Sequence, residues 1–142
     1  MTGQAVSDQM VPLLRQVGLF SRCTDYDLTI VARRAEVLEV ASGDRIVTEG
    51  EMGSDLYLVL LGGAAAVTDG EVSVSFGPGD HFGELAALAP APRTTDVVAT
   101  DRTVLAVLGH DQVYSLLDVI PGVARKMLEG LADGFRRSLL SP

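Results

Sequence analysis

The sequence predicts a mainly β fold with helices at both ends, and three observations carry that reading. Apolar residues recur at helical spacing before residue 36, short β-branched runs separated by turn signals fill Glu36 to Leu108, and helical spacing returns after Leu108. Several short strands at even spacing point to a barrel or a sandwich.

Taken in order, Val6, Met10, Leu13, Leu14 and Val17 form an amphipathic stripe, with Ser7 or Asp8 available as an N-cap and Gly18 as a stop. Thr24 and Asp25 can cap a second helix through Leu28, Val31 and Ala32, which ends near Arg33 and Arg34, where cations suit the negative end of the helix dipole. The strand candidates are seven runs, Val37 to Val40, Arg45 to Thr48, Leu56 to Leu60, Ala65 to Thr68, Val72 to Phe76, Val97 to Val98 and Val104 to Leu108, and the chain is read as holding about eight short strands. Between Val67 and Val72, Asp69-Gly70 is the strongest hairpin signal, because this dipeptide accepts the positive φ of a tight turn. His110 and Asp111 then precede Val113, Leu116 and Leu117. Pro121 interrupts, and Val123, Met127, Leu131 and Phe135 fall four apart. One stretch, His81 to Asp96, follows no strand pattern, and irregular segments on a rigid scaffold are where function concentrates.

Composition narrows the function. The chain has 142 residues, the size of one domain, so 1–142 is read as a single unit: helices in 1–35, strands in 36–109 and helices in 110–140. With 19 acidic against 11 basic residues, the formal charge of -8 is unsuited to tracking nucleic acid, so no direct DNA binding is expected. An anionic ligand must therefore be met by a local positive group. Cys23 is the only cysteine, which excludes an internal disulfide and suits a reducing compartment. Neither a signal-peptide pattern in Met1 to Met10 nor a run of about 20 apolar residues is present, so the expectation is a cytoplasmic protein that does not engage membrane.

His81 and His110 have no cysteine or carboxylate at ligand spacing, so no metal site is expected and both read as surface or capping residues. No Walker A motif, HExxH pair or nucleophile elbow occurs, which leaves an enzyme without an anchor residue and the catalytic set empty. What remains is an anion-binding pattern within Gly79 to Ala99. Gly83 lets backbone approach a ligand closely, and the helix formers after it let the free N–H groups of Glu84, Leu85 and Ala86 converge on a phosphate. Arg93, behind the Pro-Ala-Pro elbow, can hold two phosphate oxygens at once. Glu84 accepts hydrogen bonds when ionised and fits the hydroxyls of a ribose. Together they suggest a sugar phosphate.

Phe82-Gly83-Glu84-Leu85-Ala86, followed by Pro92-Arg93-Thr94-Thr95 and Val97-Val98-Ala99, resembles the phosphate-binding cassette of cyclic-nucleotide-binding domains, as in catabolite activator proteins and protein kinase A regulatory subunits. Gly43-Asp44-Arg45-Ile46 and Glu49 to Tyr57 resemble the first barrel turns of that family, and the likeness covers roughly Leu19 to Phe135. It implies an eight-stranded jelly-roll barrel, with a cassette over 82–99 and two C-terminal helices. It also implies that Arg93 pairs with the cyclic phosphate and Glu84 with the ribose 2′-hydroxyl, while backbone amides near Leu85, Ala86 and Thr95 complete the cradle. Phe82, Gly83 and Thr94 complete the expected ligand-binding set.

The ligand implied is a regulatory one, cAMP or cGMP, with no cofactor. A hydroxyl at Thr94 permits cGMP without selecting it, and cAMP is favoured. Two positions depart from the family pattern: Thr95 replaces a usual alanine, and Asp96 brings a negative charge about one strand step from the anion. Strand alternation turns Thr95 and Asp96 to opposite sides, which directs Asp96 outward. The stripe ending at Leu131 and Phe135 reads as core packing, as a homodimer seam, or as a lid over the base. An effector protein is expected to receive the signal. A barrel that no longer binds nucleotide and serves as an interaction domain is the alternative.

Overall fold

The computed structural model describes residues 3–140, with side chains described from residue 9 onward, so the side chain of Val6 lies outside the described set. The order is α1 (Gly3–Leu14), a single 3-10 turn (Gly18–Phe20) and α2 (Asp25–Arg34), then strands β1 (Glu36–Val40), β2 (Arg45–Val47), β3 (Met52–Gly53), β4 (Leu56–Leu61), β5 (Ala64–Thr68), β6 (Glu71–Phe76) and β7 (His81–Phe82). There follow α3 (Glu84–Leu88), β8 (Ala91–Pro92), β9 (Asp96–Ala99), β10 (Thr103–Leu108), α4 (His110–Val119) and α5 (Pro121–Leu140).

Most elements lie where periodicity predicts them. Thr24 caps α2 through a reciprocal pair of hydrogen bonds with Asp27, and Asp69 and Gly70 adopt φ of 53° and 79° in the β5–β6 hairpin. Ser7 and Asp8 are not N-caps, because α1 begins at Gly3 and carries both inside it. Good helix formers such as Gln4 and Ala5 let the helix run back past them. The strand count is also corrected: β3, β7 and β8 are two-residue ladders that no periodicity announces, because tertiary pairing alone creates them.

Among the described residues ten strands form two four-stranded antiparallel sheets, β1-β10-β4-β7 and β2-β9-β5-β6, and a ribbon β3-β8. Among the described residues no ladder joins the two larger sheets, so the barrel expected from the sequence is not closed by hydrogen bonds.

The first sheet divides the interior. Leu56, Leu58 and Leu60 of β4, with Ala106 and Leu108 of β10, face the helices and pack on Leu14, Leu28, Val31, Val113, Leu116 and Val123. The alternate residues Tyr57, Val59 and Leu105 face the second sheet and pack on Val47, Ala64, Ala66, Phe82 and Val97. A strand covered on both faces needs apolar residues at successive positions, which is why β4 reads as the unbroken run LYLVLL. No helix among the described residues is long and apolar enough to cross a membrane.

Two predictions follow from this packing. Thr103 is fully buried, and its hydroxyl lies 2.8 Å from the carbonyls of both Gly63 and Asp101 while accepting from Gly63 N–H at 3.1 Å. Thr103→Val keeps the shape but strands these groups and should cost about 1–3 kcal/mol of unfolding free energy in urea titrations. Burial, aided by Asp27, raises the Cys23 thiol to about 11. Its thiolate population near pH 8 is then roughly a hundredfold below that of an unperturbed thiol. Alkylation of the native protein should be correspondingly slow at pH 8 and accelerate only as pH approaches 11. Rapid labelling at pH 8 would contradict the burial.

Candidate functional site

A cavity of about 820 Å³ opens between the second sheet and the segment from β7 to β9. Its near wall contains the residues of the anion pattern, Gly83, Glu84, Leu85, Ala86 and Arg93, together with Phe82, Thr94 and Thr95, which the family resemblance added. Its far wall comes from Ala66 and Thr68 of β5 and from Ser73, Val74 and Phe76 of β6. Sequence reasoning missed this far wall. Alternation along β5 and β6 offered a signal, since Ala66 and Thr68 share one face of their strand and Val74 and Phe76 share one face of theirs.

Phe82 anchors the near wall. It pairs with Tyr57 across the β4–β7 ladder, stacks on that ring with centroids 5.0 Å apart, and meets Phe76 at the same separation. The next residue, Gly83, turns the chain at φ 87°, a conformation side chains rarely tolerate. A Cβ there would also press on the Asp55 carbonyl at 2.6 Å and on Arg93 Nη1 at 3.1 Å. The first helical bond of α3 runs from Ala87 N–H to Gly83 C=O, which leaves the N–H groups of Glu84, Leu85 and Ala86 at the helix's open end.

Arg93 is brought onto this turn from the opposite side. Its backbone is clasped by Gly50 N–H to Arg93 C=O at 2.9 Å and Arg93 N–H to Glu51 C=O at 2.8 Å. Its Nη2 donates to the Asp55 carbonyl at 3.1 Å, and its Cζ lies 5.7 Å from the centre of the Tyr57 ring. A side chain on Gly53 would overlap the guanidinium, so Arg93 holds this pose only with glycine beside it. Among the described residues no carboxylate lies within ion-pair distance of Arg93. Tyr57 titrates above its usual range, first because it is desolvated and then because Asp55 is near, with Arg93 pulling the other way.

Thr95 and Asp96 separate as strand alternation predicts. Thr95 lines the cavity, and its hydroxyl donates to Val67 C=O at 2.8 Å beside Thr68 Oγ1 at 3.2 Å. Asp96 does not line it; its carboxylate accepts from Glu49 N–H at 2.7 Å and lies 4.0 Å from Arg45 Nε. His81 lines the cavity. His110 caps the end of α3, with Nδ1 2.6 Å from Ala87 C=O, and Tyr114 Oη donates to Leu88 C=O at 2.9 Å. The two suggested lid positions are elsewhere. Leu131 packs on the helical core and Phe135 is 68% exposed, and neither lines the cavity.

The site thus combines an open helix end, an arginine without an acidic partner and an apolar far wall, the requirements of a phosphate joined to a flat apolar group. Several known proteins are similar to this chain in sequence and in fold. The cAMP-dependent protein kinase regulatory subunit of Hypocrea atroviridis is 37% identical over 113 residues, which are 80% of this chain and 24% of that one. The N-terminal domain of a transcriptional regulator from Streptomyces coelicolor A3(2) superposes with TM-score 0.72 at 30% identity, over 89% of this chain and 92% of that one. The regulatory domain of Toxoplasma gondii PKA, solved with cAMP, gives TM-score 0.68 at 32% identity, over 82% of this chain and 46% of that one. This chain spans 24% to 35% of the length of fungal regulatory subunits such as those of Hypocrea atroviridis and Yarrowia lipolytica. Residues 37–119, from the first strand to the end of α4, match the cyclic nucleotide-binding domain family, and the chain belongs to it.

Proposed function

We propose that this chain is a sensor that binds cAMP, catalyses no reaction and passes the signal to an effector protein through its C-terminal helices. One observation carries the reading: the Arg93 guanidinium stands over the Gly83 turn, at the open end of α3, with no carboxylate paired to it among the described residues. A cyclic phosphate seated there accepts from the helix end and from Arg93 together, and Glu84 takes the ribose hydroxyl. The base lies against the Val74 and Phe76 wall. The names of the Hypocrea and Toxoplasma relatives favour cAMP, and Thr94 keeps cGMP as the alternative. The two four-stranded sheets are read as the faces of the jelly roll that the family resemblance implies.

Transmission has a physical route. His110 and Tyr114 tie the carbonyl end of α3 to α4, so a ligand that shifts α3 shifts the start of the C-terminal helices. The ligand favours the shifted state only by as much as it binds that state better. Closure of α5 over the base through Leu131 or Phe135 belongs to that bound state. The exposed Leu128, Phe135 and Leu139 give α5 an apolar face for the effector or for a second copy of the chain. The cytoplasm is the compartment of this proposal.

Calorimetric titration with cAMP and with cGMP tests the reading. One of them should bind at micromolar or tighter Kd, and Arg93→Ala should weaken it about 100-fold or more by removing a buried bidentate charge contact, with the thermal midpoint little changed. Retained affinity in that variant, or no binding of either nucleotide to the parent chain, overturns the assignment and leaves the interaction domain. Gly53→Ala provides a milder perturbation. The new methyl displaces a flexible guanidinium rather than backbone, so affinity should fall about tenfold while stability changes by under about 1 kcal/mol.

A further inference from the structure

Asp96 presents a problem: a carboxylate three residues from the phosphate-holding arginine should repel the anion. Its surroundings point to a different role. Residues Thr48 to Glu51 form a turn closed by Glu51 N–H to Thr48 C=O at 3.2 Å. Two consecutive N–H groups of that turn reach across to one short segment of chain. Glu49 N–H donates to Asp96 Oδ1 at 2.7 Å, and Gly50 N–H donates to Arg93 C=O at 2.9 Å. Arg93 N–H returns a bond to Glu51 C=O, and the β3–β8 ladder continues the contact at Met52–Pro92 and Gly53–Ala91.

The same stretch then places the guanidinium. Gly53 leaves it room, and the Asp55 carbonyl accepts from Nη2. Apart from the Tyr57 ring, these fixed points of Arg93 lie between Gly50 and Asp55. Asp96 is the side chain that ties the start of this stretch to β9, by a charge-assisted bond of the short, strong kind. Arg45 beside it offsets its charge, and the carboxylate faces away from the cavity.

We propose that Asp96 is a positioning residue: it pins the Thr48–Glu51 turn and thereby fixes Arg93 in its phosphate-holding pose. The inference rests on the reading of Arg93 as the phosphate partner, and its test separates the two. If Asp96 acted as a repulsive charge, Asp96→Ala would tighten cyclic-nucleotide binding. As a positioning residue it has the opposite sign: Asp96→Ala should raise the Kd for cAMP about tenfold, the size expected for one charge-assisted hydrogen bond lost from a preorganised site. Asp96→Asn keeps an acceptor for Glu49 N–H and should stay within about threefold of the parent.

The Nε–Hε resonance of Arg93, followed by nitrogen NMR in the ligand-free full chain, should move in Asp96→Ala and stay in place in Asp96→Asn. A lower melting temperature with an unchanged Kd and an unmoved Arg93 resonance would make Asp96 a stability residue only and overturn the inference, as would tighter binding. Should the parent chain bind neither nucleotide, the phosphate reading fails. The Arg93 resonance then still decides whether Asp96 controls its pose.

Discussion

The adjacent strands β10 and β4 of the first sheet are covered on both faces, and the rest of the molecule is arranged around that constraint. Leu56, Leu58, Leu60, Ala106 and Leu108 are committed to the helices, and Tyr57, Val59 and Leu105 to the second sheet. Slipping β4 by one residue would move Tyr57 toward the helices and Leu58 toward the second sheet, so both cores hold the register at once. Tyr57 benefits from this rigidity. It projects from a strand that cannot slip, and on it rest Phe82, the Gly83 turn and one side of Arg93.

Under the proposed function, the match between an acidic chain and an anionic ligand is a question of range. The net charge of -8 is spread over surface groups, and at physiological ionic strength its field is screened beyond about 8 Å. The positive groups of the site act at hydrogen-bond distance: one guanidinium and the partial charges of an open helix end. Backbone positions them more than side chains do. Two main-chain bonds grip Arg93, a carbonyl orients its fork, and two glycines make space where it passes. Little reorganisation is left for the ligand to induce there, and preorganisation of this kind raises affinity without adding contacts.

Residues that act through local chemistry were legible in the sequence. The Thr24 cap, the Asp69-Gly70 turn, the amphipathic helices and the run from Phe82 to Arg93 each carry their cause within a few positions of themselves. Features that exist only by pairing across the chain were not. The two-residue strands β3, β7 and β8 are defined by their partners, and the Ala66 to Phe76 wall becomes a wall only when α3 is set opposite it. The end of α5 shows a further limit. Val123, Met127, Leu131 and Phe135 keep one helical spacing throughout, yet burial fades along it because the core it packs on ends before Phe135. Periodicity gives the face of a helix but not how far its partner extends.

His110 joins the short helix α3 to α4 by one contact. Taken alone, it is a polar residue at the start of α4, suited to capping that helix. In the fold its ring turns toward Ala87 C=O, an acceptor that a five-residue helix cannot satisfy internally, and Tyr114, one turn later, does the same for Leu88 C=O. A helix this short has no independent stability, so α3 holds its shape through these contacts and through the burial of Ala86 and Ala87. In the proposed function, a ligand at its N–H end acts on its carbonyl end through the same short helix. That end is fastened to α4, which leads directly into the longest helix of the chain.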